Sequence, residues 1–208
     1  MNFDNISFNG TFREYQQRVL DNSSKFISDG KINIVAAPGS GKTILGLELI
    51  RRLNSPCIIF SPTTTIRQQW GQRFSDSFLN DNQDVNDYVS YDLNDIKLIN
   101  SLTYQALHSA INKIEIRDDE EQFDYSNIDL FKLIIDKGIK TICLDEAHHL
   151  QNEWQKALEI FIHGLTKDIK VISLTATPPY DSTPAEWNRY VSVCGEIDEI
   201  TLISLVNP

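Results

Sequence analysis

The chain has 208 residues, 41% hydrophobic and 23% charged, enough apolar material for one ordinary domain with a substantial core. A formal net charge of −10 excludes a surface that coats nucleic acid broadly, since phosphate contacts need clustered Lys and Arg, but it leaves room for a local strip. Much of the acidity falls in residues 80–95 and 117–129, which read as exposed loops or insertions. No apolar run is long enough to span a bilayer and the first residues lack a signal-peptide pattern, so a cytoplasmic location is the default. Cys57, Cys143 and Cys194 are widely separated and show no C-x-x-C spacing; buried reduced thiols are expected rather than disulfides or zinc ligands.

In chain order, residues 11–27 read as a helix opened by a Thr11/Glu14 capping box, and 32–37 as the first strand. Residues 42–53 carry apolar positions at helical spacing, and 57–60 form a short continuous apolar run of the kind buried on both faces of a parallel sheet. Helix is predicted over 66–79, strand over 96–101, helix over 103–114 and a short helix over 128–137 closed by Gly138. Residues 140–146 form a strand ending in two carboxylates. Then follow a helix over 152–163, a strand over 170–174, a stop at Pro178-Pro179, a helix near 185–194 and a last apolar run, 200–206. Such alternation predicts an α/β fold with a mainly parallel central sheet and helices on both faces, whose ligands sit at the carboxyl ends of the strands.

The run Ala36-Ala37-Pro38-Gly39-Ser40-Gly41-Lys42-Thr43 lies between the first strand and the second helix. Its glycines let successive backbone N–H groups curl around an anion, and the helix that follows adds its positive dipole end. Against G-x-x-x-x-G-K-[ST], Ala36 occupies the first glycine position. Lys42 is expected on the β/γ phosphates and the Thr43 hydroxyl on Mg²⁺. A phosphate loop of this kind requires an acidic partner for metal and water, and Asp145 and Glu146 supply one. Asp145 is expected to bind the metal directly or through water, and Glu146 to orient or deprotonate the attacking water. The loop, Pro62-Thr63, Thr103, Asp145-Glu146 and Thr175-Ala176-Thr177 each follow a predicted strand, so all are expected on one sheet edge.

Asp145-Glu146-Ala147-His148 resembles a DEAH box, Ala36 to Thr43 resembles motif I of superfamily 2 helicases and translocases, and Thr175-Ala176-Thr177 resembles their motif III. Arg13-Glu14-Tyr15-Gln16 resembles the upstream glutamine motif, Pro62-Thr63 with Gln69-Trp70 motif Ia, and Ser101 to Gln105 motif Ib. The resemblance runs from about residue 12 to 195. It implies that residues 1–208 are a single N-terminal RecA-like lobe of an ATP-driven motor on nucleic acid, with ATP and Mg²⁺ as cofactors. Gln16 would read the adenine edge and Arg13 would pack near the base. His148, Thr175 and Thr177 would couple the nucleotide to the track, and Pro62, Thr63, Gln69, Thr103, Tyr104 and Gln105 would contact its sugar-phosphate backbone.

No second-lobe motif is present, so the completing arginine is expected from a second RecA-like lobe and the isolated chain is expected to hydrolyse ATP weakly. Thr177-Pro178-Pro179 and Gln69-Trp70 look more like DNA translocases and restriction-type motors than RNA-processing DEAH proteins, a resemblance that favours DNA over RNA as the track. Two other readings of the loop stand beside this one: another phosphate-loop phosphotransferase, such as a small-molecule kinase, and a non-catalytic nucleotide-binding regulatory module.

Overall fold

The computed structural model describes residues 1–117, 122–147, 150 and 152–201. Helix α1 (Glu14–Phe26) precedes β1 (Lys31–Ala36), and α2 (Lys42–Leu53) leads to β2 (Cys57–Ser61). Helix α3 (Thr64–Phe78) is followed by a two-residue strand β3 (Val89–Ser90), then β4 (Ile99–Thr103) and α4 (Tyr104–Asn112). A hairpin, β5 (Glu115–Arg117) with β6 (Gln122–Asp124), comes before α5 (Leu130–Lys137), β7 (Thr141–Asp145) and α6 (Asn152–Gly164). The series closes with β8 (Lys170–Thr175), α7 (Pro184–Cys194) and β9 (Ile197–Thr201).

Among the described residues, seven strands form one sheet in the order β3-β4-β2-β7-β8-β1-β9, and every pairing in it is parallel. The reason lies in the strand sequences, which are apolar on both faces and therefore need cover on both. Along β2, Cys57 and Ile59 turn to a core shared with α1, α2 and α3, whereas Ile58 and Phe60 turn to a second core shared with α4, α5, α6 and α7. The result is the three-layer α/β arrangement expected of a RecA-like domain.

Both acidic segments contain structure that their composition hides. Residues 89–90 add a strand beside β4, and Leu93 is buried at 2% exposure. The second segment carries the antiparallel β5–β6 hairpin, anchored by the 3%-exposed Tyr125, whose hydroxyl donates to Asp92 Oδ1 at 3.0 Å. Helix α1 starts at Glu14, and it is Gln16 that reaches back, its Oε1 accepting from Arg13 N–H at 2.8 Å, in place of the expected Thr11/Glu14 box. Of the last apolar run, 200–201 belong to β9 and the remainder lies outside the described residues.

Strand β9 is held through a buried polar group. Asn33, fully buried in β1, donates to Gly195 O at 2.9 Å and accepts from Tyr190 Oη–H at 3.0 Å, while its backbone N–H donates to Asp198. At the far end of this strand, Ala37 N–H donates to Thr201 O at 3.3 Å, so β9 meets the loop that follows β1.

Candidate nucleotide site

Because the sheet is parallel, the carboxyl ends of β1, β7 and β8 lie side by side, in the register Val35 to Thr175 and Asp145 to Leu174. The loop after β1 turns through Gly39 at φ +72° and Gly41 at φ +94°, left-handed conformations that glycine adopts without steric cost. Gly41 is also the N-cap of α2, which aims the helix N-terminus at the loop interior.

Helix α1 holds three successive loop residues. Arg13 Nη1 donates to Gly39 O at 2.9 Å, Tyr15 Oη to Ser40 O at 3.2 Å and Gln16 Nε2 to Gly41 O at 3.0 Å. Tyr15, Gln16 and Ser40 are buried. The Tyr15 phenol is raised above its ordinary pKa, chiefly by burial.

Lys42 folds across the loop, its ammonium donating to Ala36 O at 2.9 Å and lying 3.5 Å from Glu146 Oε1. Glu146 has φ +52°, a strained backbone conformation for a non-glycine residue that costs about 1–2 kcal/mol. That conformation accompanies a fixed carboxylate: Oε2 accepts from Thr175 Oγ1 at 2.7 Å, and both oxygens accept from Ala176 N–H at 3.1 Å. Thr177 N–H in turn donates to Thr175 Oγ1 at 3.2 Å, so the Thr175 to Thr177 turn is built around Glu146.

Asp145 is 8% exposed and pushed up to about 6, first by burial and further by Glu146, against the lowering influence of Trp70 and Lys42. Its Oδ2 accepts from Trp70 Nε1–H at 2.9 Å, and its backbone carbonyl accepts from Tyr104 Oη–H at 3.1 Å.

These groups open on a cavity of about 450 Å³ lined by Gly39, Gly41, Lys42, Thr43, Asp145 and Glu146, with Arg13 at one side and Ile66, Gln69 and Arg73 of α3 at another. The donor set suits Mg²⁺ bound with a phosphate. Among the described residues no cluster of three His, Cys, Asp or Glu side chains could cage a metal, whereas Mg²⁺ characteristically uses one or two protein oxygens together with phosphates and water. Thr43 and Asp145, which both line the cavity, would be able to offer those oxygens.

Several expected contacts fall elsewhere. Gln16 is 3% exposed and braces the loop instead of facing the cavity. Gln69, expected on the nucleic-acid track, lines the cavity. Tyr104 is fully buried and cannot reach a track, because its ring packs against Phe60 and its hydroxyl is held by Asp145. Thr103 is 2% exposed and caps α4, its Oγ1 accepting from Ala106 N–H. Thr63 is exposed and caps α3, Pro62 and Gln105 are half-buried, and Pro38 is exposed on the loop. His148 lies outside the described residues. Sequence reading missed Ile66 and Arg73 on the cavity, although they share a helical face with Gln69 and Trp70, and it missed the indole bond to Asp145.

A phosphate loop, an acidic strand end and a hydroxyl-bearing turn on one parallel edge define the RecA-like, ATP-binding lobe of a superfamily 2 helicase. Residues 9–180 match the family described as "Type III restriction enzyme, res subunit", and the chain belongs to it. No curated protein shows significant sequence similarity. Among solved structures, the chain is similar to the Pyrococcus furiosus Hef helicase domain, with 18% identity, TM-score 0.63 and 92% of this chain covered. It is also similar to the Sulfolobus solfataricus SWI2/SNF2 ATPase core in complex with dsDNA, with 18% identity, TM-score 0.56 and 90% covered. A third is a hypothetical ATP-dependent RNA helicase from Sulfolobus tokodaii, with 19% identity, TM-score 0.60 and 92% covered. The chain spans 38%, 36% and 53% of the lengths of these three. At such identities the likeness is one of fold.

Proposed function

We propose that residues 1–208 form one lobe of a nucleic-acid-dependent ATPase motor that hydrolyses ATP when paired with a second RecA-like lobe. The observation that carries this reading is the convergence of Lys42, Thr43, Asp145 and Glu146 on one cavity, with Glu146 hydrogen-bonded into the Thr175 to Thr177 turn. The loop N–H groups and Lys42 would receive the phosphates, and Thr43 and Asp145 would hold Mg²⁺, whose chemistry when bound is to offset phosphate charge. Glu146, fixed by Thr175 and Ala176, orients the attacking water or takes its proton. Arg13 borders the base side of the cavity and Gln16 supports it from behind through Gly41. Thr175 and Thr177, with His148 two positions after Glu146 in the sequence, would pass the nucleotide's state to the track.

DNA is the favoured track. The SWI2/SNF2 core was solved with dsDNA, and the matched family is named for a restriction enzyme. Pro62, Thr63 and Gln105 remain the accessible candidates for backbone contacts along the same edge. Among the described residues no helix is long and apolar enough to cross a membrane.

The test is ATP hydrolysis by a protein containing this lobe and its second lobe, with and without duplex DNA, single-stranded DNA and RNA. Stimulation by DNA that disappears in Lys42→Ala supports the reading. Hydrolysis that responds to no nucleic acid but to a small-molecule phosphate acceptor would assign the loop to a kinase.

A further inference from the structure

A buried indole requires an acceptor for its N–H, and in an apolar core that acceptor is ordinarily a backbone carbonyl or a neutral side chain. Trp70, in the middle of α3 and 1% exposed, instead donates to the carboxylate of Asp145 at 2.9 Å. Its ring also lies on α2: a Cβ added at Gly46 would come within 2.7 Å of Trp70 Cη2. One side chain of α3 therefore touches both the helix that begins at Lys42 and the carboxylate that ends β7.

An Asp carboxylate turns about a broad, roughly two-fold torsion, so its oxygens are not placed by the backbone alone. A hydrogen bond to one oxygen selects which oxygen is left for other partners. We propose that Trp70 is a positioning residue for metal binding: its indole N–H holds Oδ2 of Asp145 and leaves Oδ1 for Mg²⁺ or a water in its shell. The proposal rests on the reading of the cavity as a Mg·ATP site.

Two features of α3 support it. Gln69 and Arg73, neighbours of Trp70 on the same helical face, line the cavity itself, so this face of α3 is a wall of the site. The hydroxyl of Tyr104 holds the backbone carbonyl of Asp145 from the other side of the sheet, so main chain and side chain of this residue are fixed separately. Loss of a partner that orients a metal ligand characteristically costs about 10–100-fold in metal affinity.

The decisive experiment replaces the indole N–H without changing the ring. In the 208-residue chain, 3-benzothienylalanine in place of Trp70 keeps the bicyclic volume and substitutes sulfur for the donor. Trp70→Phe is the second variant, and Mn²⁺ read by electron paramagnetic resonance stands in for Mg²⁺. ATP binding is measured in EDTA and across a Mn²⁺ titration. Expected are unchanged ATP binding in EDTA, a rise of about tenfold or more in the Mn²⁺ needed for half-saturation in both variants, and a melting temperature lowered less in the isosteric one than in Trp70→Phe. The Asp145→Asn variant should show the same rise, and adding the Trp70 replacement to it should give no further loss.

A Mn²⁺ requirement equal to wild type in the isosteric variant overturns the proposal, as does a change confined to Trp70→Phe, which would mark the ring as packing alone. A wild-type chain that binds no Mn·ATP overturns the nucleotide reading itself, an outcome visible before any variant is made.

Discussion

Thr175 Oγ1 donates to Glu146 Oε2 across 2.7 Å, joining the tips of β8 and β7. The bond ties the carboxylate nearest Lys42 to the turn through Thr177, so removing the hydroxyl should disturb the orientation of Glu146 while leaving the phosphate loop intact. In the two-lobed protein Thr175→Val is expected to lower kcat about 10–100-fold with KM for ATP little changed, and Thr175→Ser to restore most of it; steady-state kinetics with saturating nucleic acid checks both.

The two loop glycines separate two kinds of constraint. A Cβ at Gly39 would meet nothing within 4 Å, so Gly39→Ala carries only the strain of φ +72°, about 1–2 kcal/mol. At Gly41 the same strain is joined by Gln16 Nε2 only 2.7 Å away, on the residue whose carbonyl that amide holds. Calorimetric titration with Mg·ATP should therefore show a larger loss for Gly41→Ala than for Gly39→Ala, and Gln16→Ala should recover part of the difference.

Glu48 is 2% exposed on α2 and receives Arg51 at 2.7 Å and Arg52 at 2.8 Å, whose other groups reach the carbonyls of Ile6 and Leu20. Burial raises its pKa, but the hydrogen bonds and charges of the two arginines outweigh burial and leave it below the ordinary carboxylate value. A folded pKa beneath the unfolded value of about 4.3 means that the stabilisation is complete above that pH and is lost as pH falls through the folded value. Urea unfolding at pH 7 should show Glu48→Gln destabilised by about 2 kcal/mol, with the gap to wild type closing below pH 4.

All three cysteines are buried and free, with Cys57 pushed up to about 12 and Cys194 to about 11, in both cases mainly by burial. The thiolate is the reactive form, so native protein at pH 8 should release no thionitrobenzoate from Ellman's reagent over minutes and three equivalents in denaturant. Rapid labelling of even one thiol in native protein would contradict this packing.

How much of this was legible beforehand depended on the range of the interactions. The α2 boundaries, Lys42 to Leu53, follow from periodicity and the glycines before them, and the shared polar edge follows from alternation of strand and helix. Strand β3 has two residues, too few for any period, and it exists because β4 offers an open edge. Tyr104 stands at the first position of α4, where a helix pattern does not decide which way a ring turns; packing against Phe60, whose ring also meets Phe161 in the second core, decides it. The Trp70 to Asp145 bond spans 75 residues and arises from folding α3 over β7. Gln16 shows the subtler case, since its motif announced a nucleotide role and the structure gives it the task of stiffening the loop.

The bond from Ala37 N–H to Thr201 O places the end of β9 against the first turn of the phosphate loop, and Arg18 adds an ion pair to Glu199 at 2.7 Å from α1. Any mechanical load applied to the polypeptide after Thr201 is thus borne first by a strand braced against the nucleotide cradle and against the helix that supports it. A displacement of β9 would therefore be felt at the nucleotide cradle and at the helix that supports it.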